Sequence, residues 1–239
     1  MTEALQDSPP LRERKKLRTR EALISASQRL FAEKGYAATT LEEICQSVEV
    51  APPTLLRYFE SKAQLALARN VDWSENLRSD VASAGRAIPT LDVWRSHVNR
   101  LSSPEVAQWT KKRALWIAPE PVLRSLMAAI DVECEAILAS GLATDAGIDP
   151  VEDVYAHIVA TALVRGRWAV FRRWLDRNEP YTMLAPAQMA LIDFVAEELL
   201  PRREAALARL LDCATAASSG RAEIPKGVTA IWTPDGSEH

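Results

Sequence analysis

The chain has 239 residues, 48% of them hydrophobic and 26% charged, with a formal net charge of −3. That balance suits a globular protein large enough to bury a core and excludes a polycation, so any affinity for nucleic acid has to rest on local charge. No apolar run approaches the roughly 18 residues needed to span a bilayer, and the N-terminus lacks the apolar core of a signal peptide. The expectation is therefore a cytoplasmic protein with no membrane partner.

Residues 1–10 read as a disordered arm. A long helix is expected from about Leu11 to Lys34, with Leu23, Ser27, Leu30 and Phe31 at helical spacing and Gly35 as its stop. Its first ten residues hold Arg12, Arg14, Lys15, Lys16, Arg18 and Arg20 against Glu13 alone. Taken by itself, such a run reads equally as a solvated helix face or as an anion-binding arm.

Thr40 and Glu43 have capping-box spacing and start a short helix whose apolar face is Leu41, Ile44, Cys45 and Val48. Val48-Glu49-Val50-Ala51 reads as a turn. Pro52 and Pro53 suit the first turn of a third helix running to Phe59, because a first-turn amide has no helical partner anyway. Ser61 and Gln64 form a second capping-box pair and start a fourth helix reaching about Ala84.

The remaining segments also read as helix, at Thr90 to Leu101, Pro104 to Ala118, Glu120 to Ser140, Pro150 to Arg177 and Ala187 to about Leu211. Prolines and glycine-containing loops separate them, and Pro201 is placed to kink or split the last. Residues 214–239 read as a disordered tail. Alternating strand patterns and repeats are missing, so the fold class is all-α.

Two short helices joined by a four-residue turn, between about Thr40 and Phe59, form a helix-turn-helix candidate. Spacing alone fits any small helical bundle. The residues say more: Leu30-Phe31-Ala32-Glu33-Lys34-Gly35-Tyr36 leading to Thr39-Thr40-Leu41-Glu42-Glu43-Ile44, then Thr54-Leu55-Leu56-Arg57-Tyr58-Phe59-Glu60-Ser61-Lys62. Over about residues 17 to 70 this resembles the TetR family of bacterial repressors.

The resemblance implies a homodimeric regulator that grips a pseudo-palindromic double-stranded DNA operator and is released by a small molecule. It divides the chain into a three-helix DNA-binding domain at 11–70, with the motif at about 40–59, and a helical effector-binding and dimerisation domain at 71–213. Carried over by position, the DNA-binding set is Thr39, Thr40, Pro53, Thr54, Arg57, Tyr58 and Lys62, with the basic arm Arg12, Arg14, Lys15 and Lys16. Thr40 would cap the first short helix and meet a phosphate, Lys62 would meet another, and Ile44 and Phe59 fall at core positions. Glu49 stands where the family often has glycine, and Leu56 where it commonly has tyrosine. Pro52 and Pro53 replace polar contact residues, so base reading leans on Arg57 or the arm.

In the second half, Trp109 and Trp116 are seven apart and share a helix face. Aromatic stripes of this kind are usually core. The alternative is a pocket for a moderately large, mainly apolar effector, for which Trp109, Trp116, His157, Arg165 and Trp168 are the candidates. His157, Arg165 and Arg167 could equally lie on an outer or dimer face. The two helices at about 150–177 and 187–211 are expected to pair with their counterparts through Ile158, Val159, Ala162, Leu163, Leu191, Phe194, Val195 and Leu199.

Cys45, Cys134 and Cys213 are far apart and read as buried free thiols. Three histidines and scattered cysteines make no metal motif, and no nucleotide loop, HExxH or GxSxG occurs, so no catalytic residue, metal or cofactor is expected. The rival classes are a helical enzyme and an adaptor that binds only protein.

Overall fold

The computed structural model describes residues 10–101 and 103–208, and among them every regular element is helical. The expected arm at 1–10, the end of the last helix near Leu211, Cys213 and the tail at 214–239 fall wholly or almost wholly outside the described residues. In chain order the helices are α1 (Leu11–Lys34), α2 (Leu41–Ser47), α3 (Pro52–Leu56), α4 (Lys62–Ala84), α5 (Thr90–Leu101), α6 (Pro104–Ile117), α7 (Pro121–Ala146), α8 (Val154–Asp176) and α9 (Leu184–Phe194). The chain continues from α9 through a π-turn at Val195–Leu199 and a 3-10 turn at Leu200–Arg202.

Two cores organise these helices. The first gathers Leu23, Ile24 and Phe31 of α1, Ile44 of α2, Leu55 of α3 and Leu65 of α4. It is sealed on one side by Trp116 of α6 and by Leu123 and Met127 of α7. The second lies among α4, α5, α7, α8 and α9, around Leu77, Trp94, Leu138, Val159, Leu163 and Ile192. Helix α4 belongs to both, contributing Leu65 to the first and Leu77 to the second, so it is a continuous rod between them. A side chain buried to this degree contributes about 1.5–3 kcal/mol.

Local chemistry explains most boundaries. Gly35 follows α1 at φ +87°, where a side chain would be strained, and its N–H donates to Phe31 O at 3.0 Å. The Thr40–Glu43 box closes in both directions: Glu43 N–H donates to Thr40 Oγ1 at 3.2 Å, and Thr40 N–H donates to Glu43 Oε2 at 2.8 Å. The Ser61–Gln64 pair closes only once. Gln64 N–H donates to Ser61 Oγ at 3.1 Å, but the Gln64 side chain accepts from Glu60 N–H, one residue earlier than a capping box requires.

Four expectations shift. Helix α3 stops at Leu56 rather than Phe59, where Tyr58 N–H turns back onto Leu55 O at 2.9 Å in a tighter i to i−3 bond. Helix α7 does not stop at Ser140 but runs through Gly141 to Ala146. That glycine allows a close approach: a Cβ there would sit 2.5 Å from Thr90 Oγ1 and 2.9 Å from Val81 Cγ1. Helix α8 begins at Val154 rather than Pro150, since buried Asp153 caps it by accepting from Ala156 N–H at 3.0 Å. Helix α9 begins at Leu184, with Pro186 inside its first turn, where proline is tolerated. At the far end, the π-turn and the 3-10 turn replace regular helix just where Pro201 withholds a backbone donor.

Candidate functional site

The α2–α3 unit is built from the inside outward. Leu55 is fully buried and Phe59 nearly so, which fixes the roll of α3 against α1 and α4. At about 100° per residue, the edge opposite Leu55 carries Pro53 and Arg57, both exposed, flanked by exposed Pro52 and Leu56. Thr54 and Tyr58 lie at the margins, half-buried. The Arg57 guanidinium stands 5.9 Å from the Tyr58 ring centroid, a contact that props the charge beside the helix. The outward edge of α3 is therefore short, rigid and mostly apolar, with one cation.

The turn before α3 holds Glu49 at φ +56°, in the left-handed region that favours glycine. That strained backbone brings Val50 N–H to Cys45 O at 3.0 Å and lets the chain reverse in four residues.

Three expected contact residues have internal employment. Thr39 is fully buried, and its hydroxyl donates to Gly35 O at 2.8 Å, so its side chain has no free face to offer DNA. Thr40 is exposed but engaged in its cap. Lys62 Nζ donates to Tyr36 O and Thr39 O, both at 3.0 Å, and lies 4.3 Å from the Tyr36 ring centroid. An ammonium has three donors, so one remains for a phosphate. The Thr40 cap was legible from its spacing, but position within a motif gave no sign of the Thr39 and Lys62 bonds, because their partners are backbone carbonyls. The Glu43 carboxyl is held below its ordinary pKa, first by Lys34 and then by the Thr40 N–H.

Arg12, Arg14, Lys15, Lys16 and Arg18 are all exposed on the first two turns of α1, and none meets a carboxylate among the described residues. The run ends where α1 joins the body. There Arg20 grips Asp72 of α4 through two bonds of 2.6 and 2.9 Å and lies over the Phe59 ring. Just beyond, Arg69 of α4 donates to Gln28 Oε1 at 3.1 Å and to Glu21.

Behind this junction are two adjoining cavities of about 560 and 510 Å³, within the range of small-molecule sites. They share Thr110, Arg113, Trp168 and Phe171. The larger is walled by Gln28 of α1 and by Arg69, Asp72 and Trp73 of α4, so it touches the same side chains that tie α1 to α4.

Of the expected pocket residues, Trp109 and Trp168 line the larger cavity, and Arg165 lines the smaller. Trp168 Nε1 donates to Asp131 Oδ1 at 2.9 Å, while Arg165 bridges Glu135 at 2.7 Å and Asp131 at 3.5 Å. Burial pushes the Asp131 carboxyl above its ordinary pKa, and the Trp168 bond opposes that shift.

Two expectations are corrected. Trp116 lines neither of these two cavities; it packs on Phe31 at 5.1 Å, joining α6 to α1, and borders a separate cavity of about 670 Å³ between those helices. His157 is exposed, because the buried arc of α8 is taken by Tyr155, Ala156, Val159, Ala160 and Leu163. Sequence reading missed Arg113, which is 9% exposed and whose guanidinium lies 4.7 Å from the Trp109 ring centroid. The four-residue spacing from Trp109, putting both on one helix face, was the available signal.

The expected dimer faces divide in two. Val159, Leu163 and Val195 are buried in the chain's own core. Ile158 and Phe194 are 46% and 54% exposed, and Val154 beside them is 56% exposed.

Comparison with known proteins bears on the N-terminal third. The family model for bacterial regulatory proteins, tetR family, matches residues 23–68. The chain is 46% identical over 66 residues to the HTH-type transcriptional regulator TcmR of Streptomyces glaucescens, covering 28% of this chain and 29% of that protein. It is 35% identical over 71 residues to the HTH-type transcriptional regulator BetI of Rhizobium meliloti (strain 1021), covering 30% and 35% respectively. The chain thus matches about a third of the length of these curated relatives.

The fold likeness extends further. A transcriptional regulator of Pseudomonas aeruginosa PAO1 aligns with a TM-score of 0.53 at 17% identity, covering 83% of this chain and 98% of that one. NalD of Pseudomonas aeruginosa, the secondary repressor of the MexAB-OprM multidrug efflux pump, aligns with a TM-score of 0.51 at 20% identity, covering 74% and 95%. The N-terminal helix-turn-helix is thus similar in sequence to bacterial regulatory proteins of the tetR family, and the rest of the chain shares the fold of the solved regulators.

Proposed function

We propose that the protein is a ligand-responsive transcriptional repressor and not an enzyme. It would work in the cytoplasm as a homodimer on a pseudo-palindromic operator, with residues 11–70 reading DNA and 71–213 carrying the effector site and dimer contacts. The observation that carries this reading is the outward edge of α3. Pro53 and Arg57 project from a helix whose roll is locked by buried Leu55 and Phe59, as a major-groove reader requires. Thr54 and Tyr58 flank that edge. The free donor of Lys62 and the unpaired cations at Arg12, Arg14, Lys15 and Lys16 supply backbone charge contacts.

The dimer is proposed through α8 and α9, where Val154, Ile158 and Phe194 are apolar and uncovered. An effector in the larger cavity would act on the helix-turn-helix directly, because Gln28, Arg69 and Asp72 belong at once to the cavity wall and to the α1–α4 junction.

Selection of genomic DNA fragments by the purified protein, followed by footprinting, tests the whole reading. The expected result is a protected inverted repeat with strongly salt-dependent affinity. Neutralising Arg12, Arg14, Lys15 and Lys16 together should flatten that salt slope. Uniform weak binding to all fragments, or a concentration-independent monomer in sedimentation, would overturn it.

A further inference from the structure

The larger cavity has an asymmetry of hydrogen bonding. Three of its lining residues carry a buried polar atom without a partner among the described residues: Gln28 Nε2, Trp73 Nε1 and Arg167 Nε. All three are donors. Buried donors left unmatched are costly, and they make this side of the cavity rich in donors.

The charges agree. Arg113 is buried, and Arg167 is set between two indoles, 5.4 Å from the Trp73 centroid and 4.7 Å from the Trp168 centroid. Neither guanidinium forms an ion pair among the described residues; Arg113 donates instead to the neutral Asn70 side chain. The acids nearby are otherwise occupied or remote. Asp72 is held by Arg20, and Asp131 by Trp168 and Arg165, while Glu105 is exposed at the start of α6. Burial lowers the pKa of both arginines; Arg113 falls to about 10, with Arg167 adding repulsion, while at Arg167 the charge of Asp131 opposes the shift. Trp109, Phe171 and Leu184 add aromatic and apolar wall, beside the polar side chains of Asn76, Thr110 and Gln188.

We propose that the effector of this cavity is an amphipathic anion, an aromatic or apolar body bearing a carboxylate, sulfonate or similar acceptor group that sits between Arg113 and Arg167. This rests on the reading of the cavity as the effector site, and it replaces the mainly apolar effector expected from sequence. Arg113 lines both cavities, so the charged end would sit at their junction while the ring system extends along the tryptophans.

The test uses a matched pair of fluorescent probes on the full-length protein: anilinonaphthalene sulfonate and its uncharged parent, phenylnaphthylamine. The sulfonate should bind tighter by about tenfold or more, as expected for a buried charge-assisted hydrogen bond. Arg113→Met and Arg167→Met should each erase that preference, read as the ratio of the two probes' affinities within each variant. Equal affinities in the unsubstituted protein would overturn the anionic effector while leaving a ligand cavity intact. A preference that survives in both variants would also overturn it, by placing the anion elsewhere. Binding of neither probe would overturn the cavity reading itself. The comparison on the unsubstituted protein decides the question even if a variant fails to fold.

Discussion

Glu49→Gly tests whether the turn of the helix-turn-helix stores backbone strain. Glu49 sits at φ +56° with its side chain exposed, and no hydrogen bond or ion pair of that side chain occurs among the described residues. A side chain with a Cβ in the left-handed region costs about 1–2 kcal/mol, and glycine removes that cost. Against this, glycine gives the unfolded chain more freedom, which costs about 0.4–1 kcal/mol. The balance is a stabilisation of about 0.5–1 kcal/mol, or roughly 1–4 °C in Tm for a chain of this size. Urea and thermal unfolding followed by circular dichroism would read it. Glu49→Ala is the control, because it deletes the carboxylate but keeps the Cβ, and it should gain nothing. A glycine variant no more stable than the parent would refute the strain argument. An alanine variant that gains as much would move the cause from backbone geometry to charge.

Three further outcomes follow from the geometry. Gly141→Ala should destabilise by about 1–3 kcal/mol despite alanine's better helix propensity, because its Cβ would meet Thr90 Oγ1 at 2.5 Å; adding Thr90→Ala should recover part of the loss in a double-mutant cycle by denaturation. Lys62→Met should lower stability by about 1–2 kcal/mol through its bonds to Tyr36 O and Thr39 O, and should reduce the salt slope of operator binding by less than one phosphate contact. A slope reduced by a full contact with unchanged stability would instead make it a phosphate ligand first. The Glu43 carboxyl has a depressed folded pKa, so its contribution is complete above the unfolded value of about 4.3 and is lost as pH falls through the folded value. The stability gap between the parent and Glu43→Gln, measured by urea unfolding, should therefore be constant near neutrality and close in acid.

Local chemistry was the part of the fold that the sequence made legible. Thr40 with Glu43 and Gly35 after Lys34 act over a few residues, and they set boundaries that agree with the structure. Glu49 was flagged by its departure from a glycine position, and the backbone is positive there. Failures came where a distant partner decides. Gly141 reads as a helix stop by propensity, yet it continues the helix because Thr90, fifty-one positions earlier in the chain, needs the space. Lys62 reads as a surface cation, yet two carbonyls more than twenty residues away hold it.

The cavity follows the same division. Its tryptophans were visible as a stripe, but which of them pack and which line this void depends on the neighbouring helices: Trp116 meets Phe31 of α1, while Trp109, two turns earlier, lines the cavity with Arg113. Arg113 had one local signal, its four-residue spacing from Trp109, but a lone arginine on an amphipathic helix ordinarily faces water. Its meaning comes from three helices at once: Asn70 of α4 accepts its hydrogen bond, Trp109 of α6 lies beside it at 4.7 Å, and Arg167 of α8 repels it. Two like charges held together with no ion-pair partner among the described residues are a cost to the fold, and an anion would relieve it. Ligand affinity and apo stability are therefore opposed at this position. Arg113→Met should leave the ligand-free protein as stable as the parent or more so, while abolishing the anion preference. A variant that lost both together would show that Arg113 serves the fold rather than the ligand.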